Sequence, residues 1–555
     1  MNSSQEGAHA SDGATPDAGP GPSTDPVLNA MLKPARAHSG WGWKPLSLLL
    51  AVALVVSLWV GGRSRGGGAA ERTADSISIG LKLAPTNLDI RNQSGSALDQ
   101  ALVGNVYEGL VARGDHNQVT PGLAKSWSRS ADGTTYTFRL HEAMAFSNGD
   151  RLDAEDVAWS INELVQRGYH DADQLRNFQS VKALNPSTVE LKLTAPYAGL
   201  LWALTGRPGL VFDRRAYYDP KSQALGSGPY TVSSFKPSSS LTLSANPRYW
   251  GERKARTQTV RLRYFADDNA AVNALKSNDV QALAPITATL AEPFRKDPDH
   301  YQVQAGDGTD KFVLAFNSKG AKTSDPRVRQ AIRYAIDHRQ LIVARGGADT
   351  ALGGPIPILD PGYQDLTGLY PHDPGKAREL MAQVGYSPQR PLKLRLTYAN
   401  TYGSELGDQL RSQLKPVGID LNVQVVEFST WMQDVYTNRD YDISLVDHSE
   451  SHDFNQWANP KYYYGYDNPR VQELYRQAMA EPNEQESGRY LAQAARVVSQ
   501  DAPADWLFNY RITTAWAVGL HGLPLNLNQT LLPLAGVYYT PGGAAASGSS
   551  ALAAR

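Results

Sequence analysis

The 555-residue chain contains no cysteine. That excludes disulfides, thiolate metal sites, a cysteine nucleophile and a lipid-modified N-terminal cysteine. Charge imbalance is also missing, since 54 Lys and Arg against 55 Asp and Glu leave a net charge of −1. No field of one sign points to nucleic acid, and basic stretches such as RVRQAIRYAIDHR read as helix faces. Phenylalanine is scarce, with 12 residues beside 27 tyrosines and 11 tryptophans. Aromatics with a polar handle suit pockets and interfaces that stay half wet. Long apolar runs are lacking but for one, PLSLLLAVALVVSLWV at 45–60.

That run follows Lys33, Arg36 and Lys44 and is edged by Trp41, Trp43 and Trp59. It is long for a signal-peptide core and short for a spanning helix, which wants about 20 residues. Interfacial tryptophans favour an uncleaved anchor that leaves the bulk of the chain outside the cytoplasm. Residues 1–44 are rich in Gly, Ala, Ser, Pro and Asp without an apolar period and are expected to be disordered, with a linker at 62–75 and a flexible tail at 542–555.

From residue 76 onward strands and helices alternate. SISIGLKL and TTYTFRLHEAMAF alternate as strands do, the second after an Asp132-Gly133 turn. DAEDVAWSINELVQRG opens with acidic residues and carries apolar positions at helical spacing. DPRVRQAIRYAIDHRQLIVARGG predicts two helices stopped by Gly-Gly, with Val328, Ile332, Ala335 and Ile336 facing inward and Arg327, Arg329 and Arg333 on the wet face. LKLRLTY, GSELGDQLRSQLKPVG and IDLNVQVVEF predict a β-α-β unit.

Four blocks in this region, VYEGLVARGDHNQVTPGLAKSWSRSADGTTYTFRLHEAMAFSNGDRLDAEDVAWSI (106–161), GSGPYTVSSFKPSSSLTLSANPRYWG (226–251), FVLAFNSKGAKTSDPRVRQAIRYAIDHRQLI (312–342) and YPHDPGKARELMAQVGY (370–386), resemble the signature of the extracellular solute-binding proteins of family 5. That family delivers dipeptides, oligopeptides, nickel chelates and related solutes to ABC importers. The resemblance implies an α/β, two-lobed periplasmic-binding-protein fold with mixed sheets, a hinge between lobes and an extra small domain in the first lobe. Carried onto this chain, domain I takes 76–115, 208–301 and 509–541, domain II takes 116–207, and the second lobe takes 302–508. Hinge crossings are then expected near 301–305 and 505–512. The implied partners are a small solute, ABC permease subunits and the membrane through the N-terminal segment. A monomer with no nucleic acid, no cofactor and no catalytic residue is expected.

Residues 446–457, VDHSESHDFNQW, crowd Asp447, His448, Glu450, His452 and Asp453 together. His448 and His452 stand four apart, the spacing that sets two imidazoles on one helix face, but YDISLVDHS reads as a strand entering a loop. Ser449 and Ser451 sit beside acids rather than beside a placed base and oxyanion donors, as a hydrolase would require. In the family, a loop at this place carries an acidic residue that pairs with a peptide's α-ammonium group. The resemblance puts Glu450 on that position and Asp453 on a later acid. Three readings therefore stand: capture of a peptide or peptide-like solute, capture of a metal chelate such as nickel through His448 and His452, and an exported hydrolase. Further candidates for the cleft are Trp431, Trp457 and the tyrosines of YYYGY as flat walls, Arg207 as partner of a solute carboxylate, and Asn92, Gln93 and Ser94 as hydrogen-bonding groups. The last three suit capping of a helix at 97–112 equally well.

Overall fold

The computed structural model describes residues 73–93 and 95–541. The expected N-terminal tail, the apolar run, most of the linker, Ser94 and the C-terminal tail lie outside the described residues. Among the described residues no helix is long and apolar enough to cross a membrane.

Three sheets organise the chain. A seven-stranded mixed sheet runs in the order Tyr301–Gly306, Ile512–Ala517, Ala282–Ala284, Ser76–Leu81, Thr259–Tyr264, Ser240–Ala245 and Tyr230–Lys236. An antiparallel sheet of four strands, Ala124–Arg129, Thr135–Leu140, Thr188–Leu193 and Phe178–Asn185, carries the helix Ala154–Arg167 on its inner face. The third has five strands in the order Ile419–Val426, Leu392–Ala399, Ile443–His448, Lys311–Phe316 and Ala504–Asn509. Helices cover this last sheet on both faces, which is why Lys311–Phe316 and Ala504–Asn509 are buried along their whole length.

Local sequence explains these elements. Asp153 caps the helix Ala154–Arg167 by accepting from the Glu155 N–H, Asp156 returns the favour to the Asp153 N–H, and Gly168 closes the far end at φ +60°. Replacing Asp153 with alanine is expected to cost about 1 kcal/mol, read as a lowered thermal midpoint. In GSGPY, side-chain carbons at 226 and 228 would collide with the carbonyls of Val106 and Asn105, so glycine lets the two backbones touch. The β-α-β unit forms as predicted: Leu392–Ala399 and Ile419–Val426 pair in parallel, joined through the helix Glu405–Leu414.

Two of the three arginines expected on the wet face are buried. Arg327 is exposed and pairs with Asp325. Arg333 instead reaches Asp505 at 3.2 Å, the Ser499 and Gly353 carbonyls, and the face of Tyr370 at 4.3 Å. Arg329 donates to the carbonyls of Thr323, Ser324, Asp501 and Ala502. Both guanidiniums tie the helix Pro326–Ala335 to the chain around the end of the helix Glu484–Asp501, a tertiary role that helical spacing cannot reveal.

The chain crosses between the seven-stranded and five-stranded sheets at 307–310 and again at 510–511. The first crossing comes later than 301–305 because Tyr301–Gly306 stays in the ladder of Ile512–Ala517.

Candidate ligand-binding cleft

The strand Ile443–His448 is central in the five-stranded sheet and delivers the loop 449–455 at its carboxyl end, where open α/β sheets place ligands. This loop forms one wall of a cavity of about 860 Å³. The loop Pro355–Pro361 extends that wall, and the opposite wall comes from 95–103, Arg113, 170–176 and 197–207 of the first lobe.

Beneath the loop lies a buried ion cluster. Lys311 heads the strand Lys311–Phe316, and its side chain is 2% exposed. Its ammonium meets Asp453 Oδ2 at 3.1 Å and donates to the carbonyls of Glu450 at 2.7 Å and Thr309 at 3.2 Å. Three partners match its three protons. Burial works against the Lys311 charge, but Asp453, Asp360 and Asp310 hold its pKa above the ordinary lysine value. Burial pushes Asp453 up to about 6 despite Lys311, and Asp310 up to about 7. Asp447 rises well above the carboxylate range through burial and the neighbouring Asp310.

His448 sits within this network rather than in the cleft. Gln456 gives an amide proton to Asp453 at 2.5 Å, so its oxygen accepts from the Tyr464 hydroxyl at 3.0 Å. The single Tyr464 proton is then used, and His448 must donate from Nε2 across 2.5 Å. Burial, with Lys311 nearby, drops the His448 pKa to about 3, and the ring is neutral.

His452 does reach the cleft. Its backbone takes φ +58°, and its N–H donates to Asp360 Oδ2 at 2.7 Å. The ring stacks on Trp202 of the first lobe at 4.2 Å. Burial lowers its pKa to about 4, although Asp360 pulls the other way. Asn117, at φ +63° in the hairpin 113–119, bridges from the first lobe to Asp360 Oδ1 and Ser451 Oγ, both at 2.7 Å. The Ala198 N–H donates to the Met479 carbonyl at 2.9 Å, and Arg176 donates to the Tyr475 hydroxyl at 3.3 Å, so the lobes touch along the cleft.

A neutral buried histidine stabilises the fold above the unfolded value near 6.5, and this contribution disappears as pH falls toward 4 and then 3. Asp453 and Asp310, raised above their unfolded values, contribute oppositely: their contribution is complete in acid and is lost as pH rises through about 6 and 7. Chemical denaturation of His448→Gln at pH 7 and pH 5 should therefore show a shallower acid-side loss of stability than the parent chain. An equal slope would remove His448 from this account.

Glu450, Asp453, His452 and Arg207 line the cleft, and the Glu450 carboxylate accepts no hydrogen bond from any described residue. The other expectations need correction. Arg207 is not available to a solute carboxylate, because it pairs with Asp99 at 2.7 Å and donates to the carbonyls of Ile90, Gln93 and Gly95. Asn92 turns back to Asp89 at 2.8 Å, and Gln93 serves Arg207 through its carbonyl, so neither side chain lines the cleft. The helix there is short, Ser96–Leu102, with Gly95 as its cap. Trp457 packs between Tyr464 and Trp506, and Trp431 donates to Ser444 Oγ at 2.9 Å beside Tyr463. These rings, with Tyr463, Tyr464 and Tyr466, form the core under the loop. His448 and His452 diverge. The possible metal ligands that converge are His448, Glu450 and Asp453, within 4.8 Å of one another, and the Lys311 ammonium already serves Asp453 there.

Residues missed by sequence reasoning include Asn117, Trp202, Asp360 and Lys311. Lys311 did leave a signal, since it heads the otherwise apolar run KFVLAF. The Pro-rich GGPIPILDPGY left another for Asp360.

Residues 118–470 match the family described as bacterial extracellular solute-binding proteins, family 5 middle. The chain belongs to this family. Among family 5 relatives, the di/tripeptide-binding protein 2 of Pseudomonas aeruginosa (strain UCBPP-PA14) is 27% identical over 388 residues, covering 64% of this chain and 72% of its own length. The nickel-binding periplasmic protein of Escherichia coli (strain K12) is 27% identical over 352 residues, covering 57% of this chain and 65% of its own length. Of solved structures, the ABC transporter substrate-binding protein CtaP from Listeria monocytogenes superposes with a TM-score of 0.76 at 19% identity, covering 84% of this chain and all, 100%, of that one. The periplasmic binding protein DppA from Helicobacter pylori, in complex with the peptide STSA, gives 0.69 at 20% identity over 85% and 99% of the two chains. The fold is the two-lobed α/β fold of the periplasmic binding proteins.

Proposed function

We propose that this family 5 protein is the solute-capture component of an ABC importer, working outside the cytoplasm, and that its solute is a peptide or peptide-like molecule. The observation that carries the reading is Glu450, whose carboxylate has no partner among the described residues and stands in the wall of a large cleft between lobes. An ammonium enclosed in such a cleft needs a carboxylate, because burying an unpaired charge is prohibitive. Relatives named for di- and tripeptides, and a neighbour holding a peptide, support this solute class. The chemistry is binding and hinge closure, with no bond made or broken. Residues 45–61 export or anchor the chain, which acts as a monomer with the permease subunits as partners.

The chelate reading is weaker, because His448 is occupied by Tyr464 and an ammonium stands beside Asp453. Native mass spectrometry of protein purified from its own host tests the proposal. A co-purifying peptide is expected. A stoichiometric transition metal or chelate, lost on His448→Ala, would overturn it.

A further inference from the structure

Two cations in the cleft wall, Arg113 and Arg176, have no counter-ion among the described residues, and of these Arg176 is exposed and donates to the Tyr475 hydroxyl while Arg113 is half-buried. Arg113 ends the strand Val111–Arg113 and lines the cleft from the first lobe. Its Nε donates to Asn117 Oδ1 at 2.5 Å, and its guanidinium carbon stands 5.3 Å from the centre of the Trp202 ring. These contacts leave both terminal NH₂ groups without a hydrogen-bond acceptor among the described residues. The acids that influence it are Asp360, Asp99 and Asp310, and none of them makes an ion pair with it. Asp99 belongs to Arg207. Asp360 is taken by Asn117, Ser451 and the His452 N–H. The other deeply placed cations are satisfied: Lys311, Arg207 and Arg333 each have a carboxylate and carbonyls around them, and Arg329 has four carbonyls.

Burial lowers the Arg113 pKa, yet a guanidinium stays charged at any physiological pH. A permanent charge half-buried in this wall becomes costly when the lobes close over it without an anion. The planar group is held by Asn117 on its Nε side and by Trp202 nearby, which leaves its outer edge to receive two oxygens side by side.

We infer that Arg113 is the anchor for a carboxylate of the solute, so that the cleft selects zwitterions, with the amino group at Glu450 on one lobe and the carboxylate at Arg113 on the other. This rests on the reading of Glu450 given above and narrows its solute class. A solute lacking the anion would close the cleft over an unpaired guanidinium. The carboxylate could come from a peptide's C-terminus or from an acidic side chain, since the guanidinium recognises the same two oxygens in both.

The test incubates the purified full chain with an equimolar tripeptide library and identifies the retained peptides by mass spectrometry. The library has three arms: free C-termini without acidic residues, amidated C-termini without acidic residues, and amidated C-termini with one glutamate. Retention of the first arm at least tenfold over the second, with the preference lost in Arg113→Gln and partly kept in Arg113→Lys, is the expected result. Strong retention of the third arm, also lost in Arg113→Gln, would support the anchor and assign the carboxylate to a side chain. Equal retention of all three arms by the parent chain would overturn the role of Arg113 and leave peptide capture standing. Retention of no arm would overturn peptide capture and the inference with it. The comparison of arms on the parent chain needs no variant to fold.

Discussion

Lys311→Met is expected to lower the unfolding free energy at pH 7 by about 3–5 kcal/mol, the usual cost of removing one partner from a buried ion pair. Methionine keeps most of the volume, so the loss is electrostatic. Asp453 loses its partner at 3.1 Å, and the carbonyls of Thr309 and Glu450 lose their donor. Asp310 and Asp447 lose a cation that lowers the cost of their charge. The deficit should shrink as pH falls from 7 to 5. Asp453 and Asp310 titrate near 6 and 7 in the parent chain and higher without the lysine, and a protonated carboxyl needs no cation. Urea denaturation at the two pH values reads both effects. A deficit under about 1 kcal/mol, or one independent of pH, would contradict a role for Lys311 as the neutralising charge of the cluster.

Glu450→Ala should weaken binding of an amine-bearing peptide by about 2–5 kcal/mol while leaving the thermal midpoint unchanged. The two halves of this expectation have one cause. The side chain is exposed and holds no described residue, so the fold does not depend on it. A ligand ammonium would then find only Asp453 nearby, whose carboxylate already serves Lys311. N-acetylation of the peptide should cost the parent chain about as much as the alanine costs the free amine. Unchanged calorimetric affinity in either experiment would take Glu450 out of the pocket.

Much of the architecture was legible in the sequence because it follows from local chemistry. The capping acids of Ala154–Arg167, the glycines of GSGPY and the β-α-β pattern from Leu392 to Val426 each declare themselves within a few residues. The site was legible where one segment carries it: Glu450, His452 and Asp453 follow a strand end and line the cleft. It was illegible where distant segments meet. Trp202 finds His452 and Asn117 finds Asp360 across about 250 residues of chain in each case, and no spacing rule reaches that far. Aromatic clustering misled for a related reason. YYYGY has the composition of a cleft wall, but the three rings Trp457, Trp506 and Tyr464 need one another as packing, and this holds the tyrosines beneath the loop.

The bridge from Asn117 to Asp360 and Ser451, with the Trp202–His452 stack, joins the lobes through groups that need touch no solute. Closure thus has a portion common to every ligand and a portion particular to each. Loosening the common portion while Arg113 stays held, as Asn117 Oδ1 holds it, would multiply all dissociation constants by one factor and preserve their order. Potency and discrimination are therefore separately adjustable in this molecule, the first at the rim where the lobes meet and the second at the charges inside.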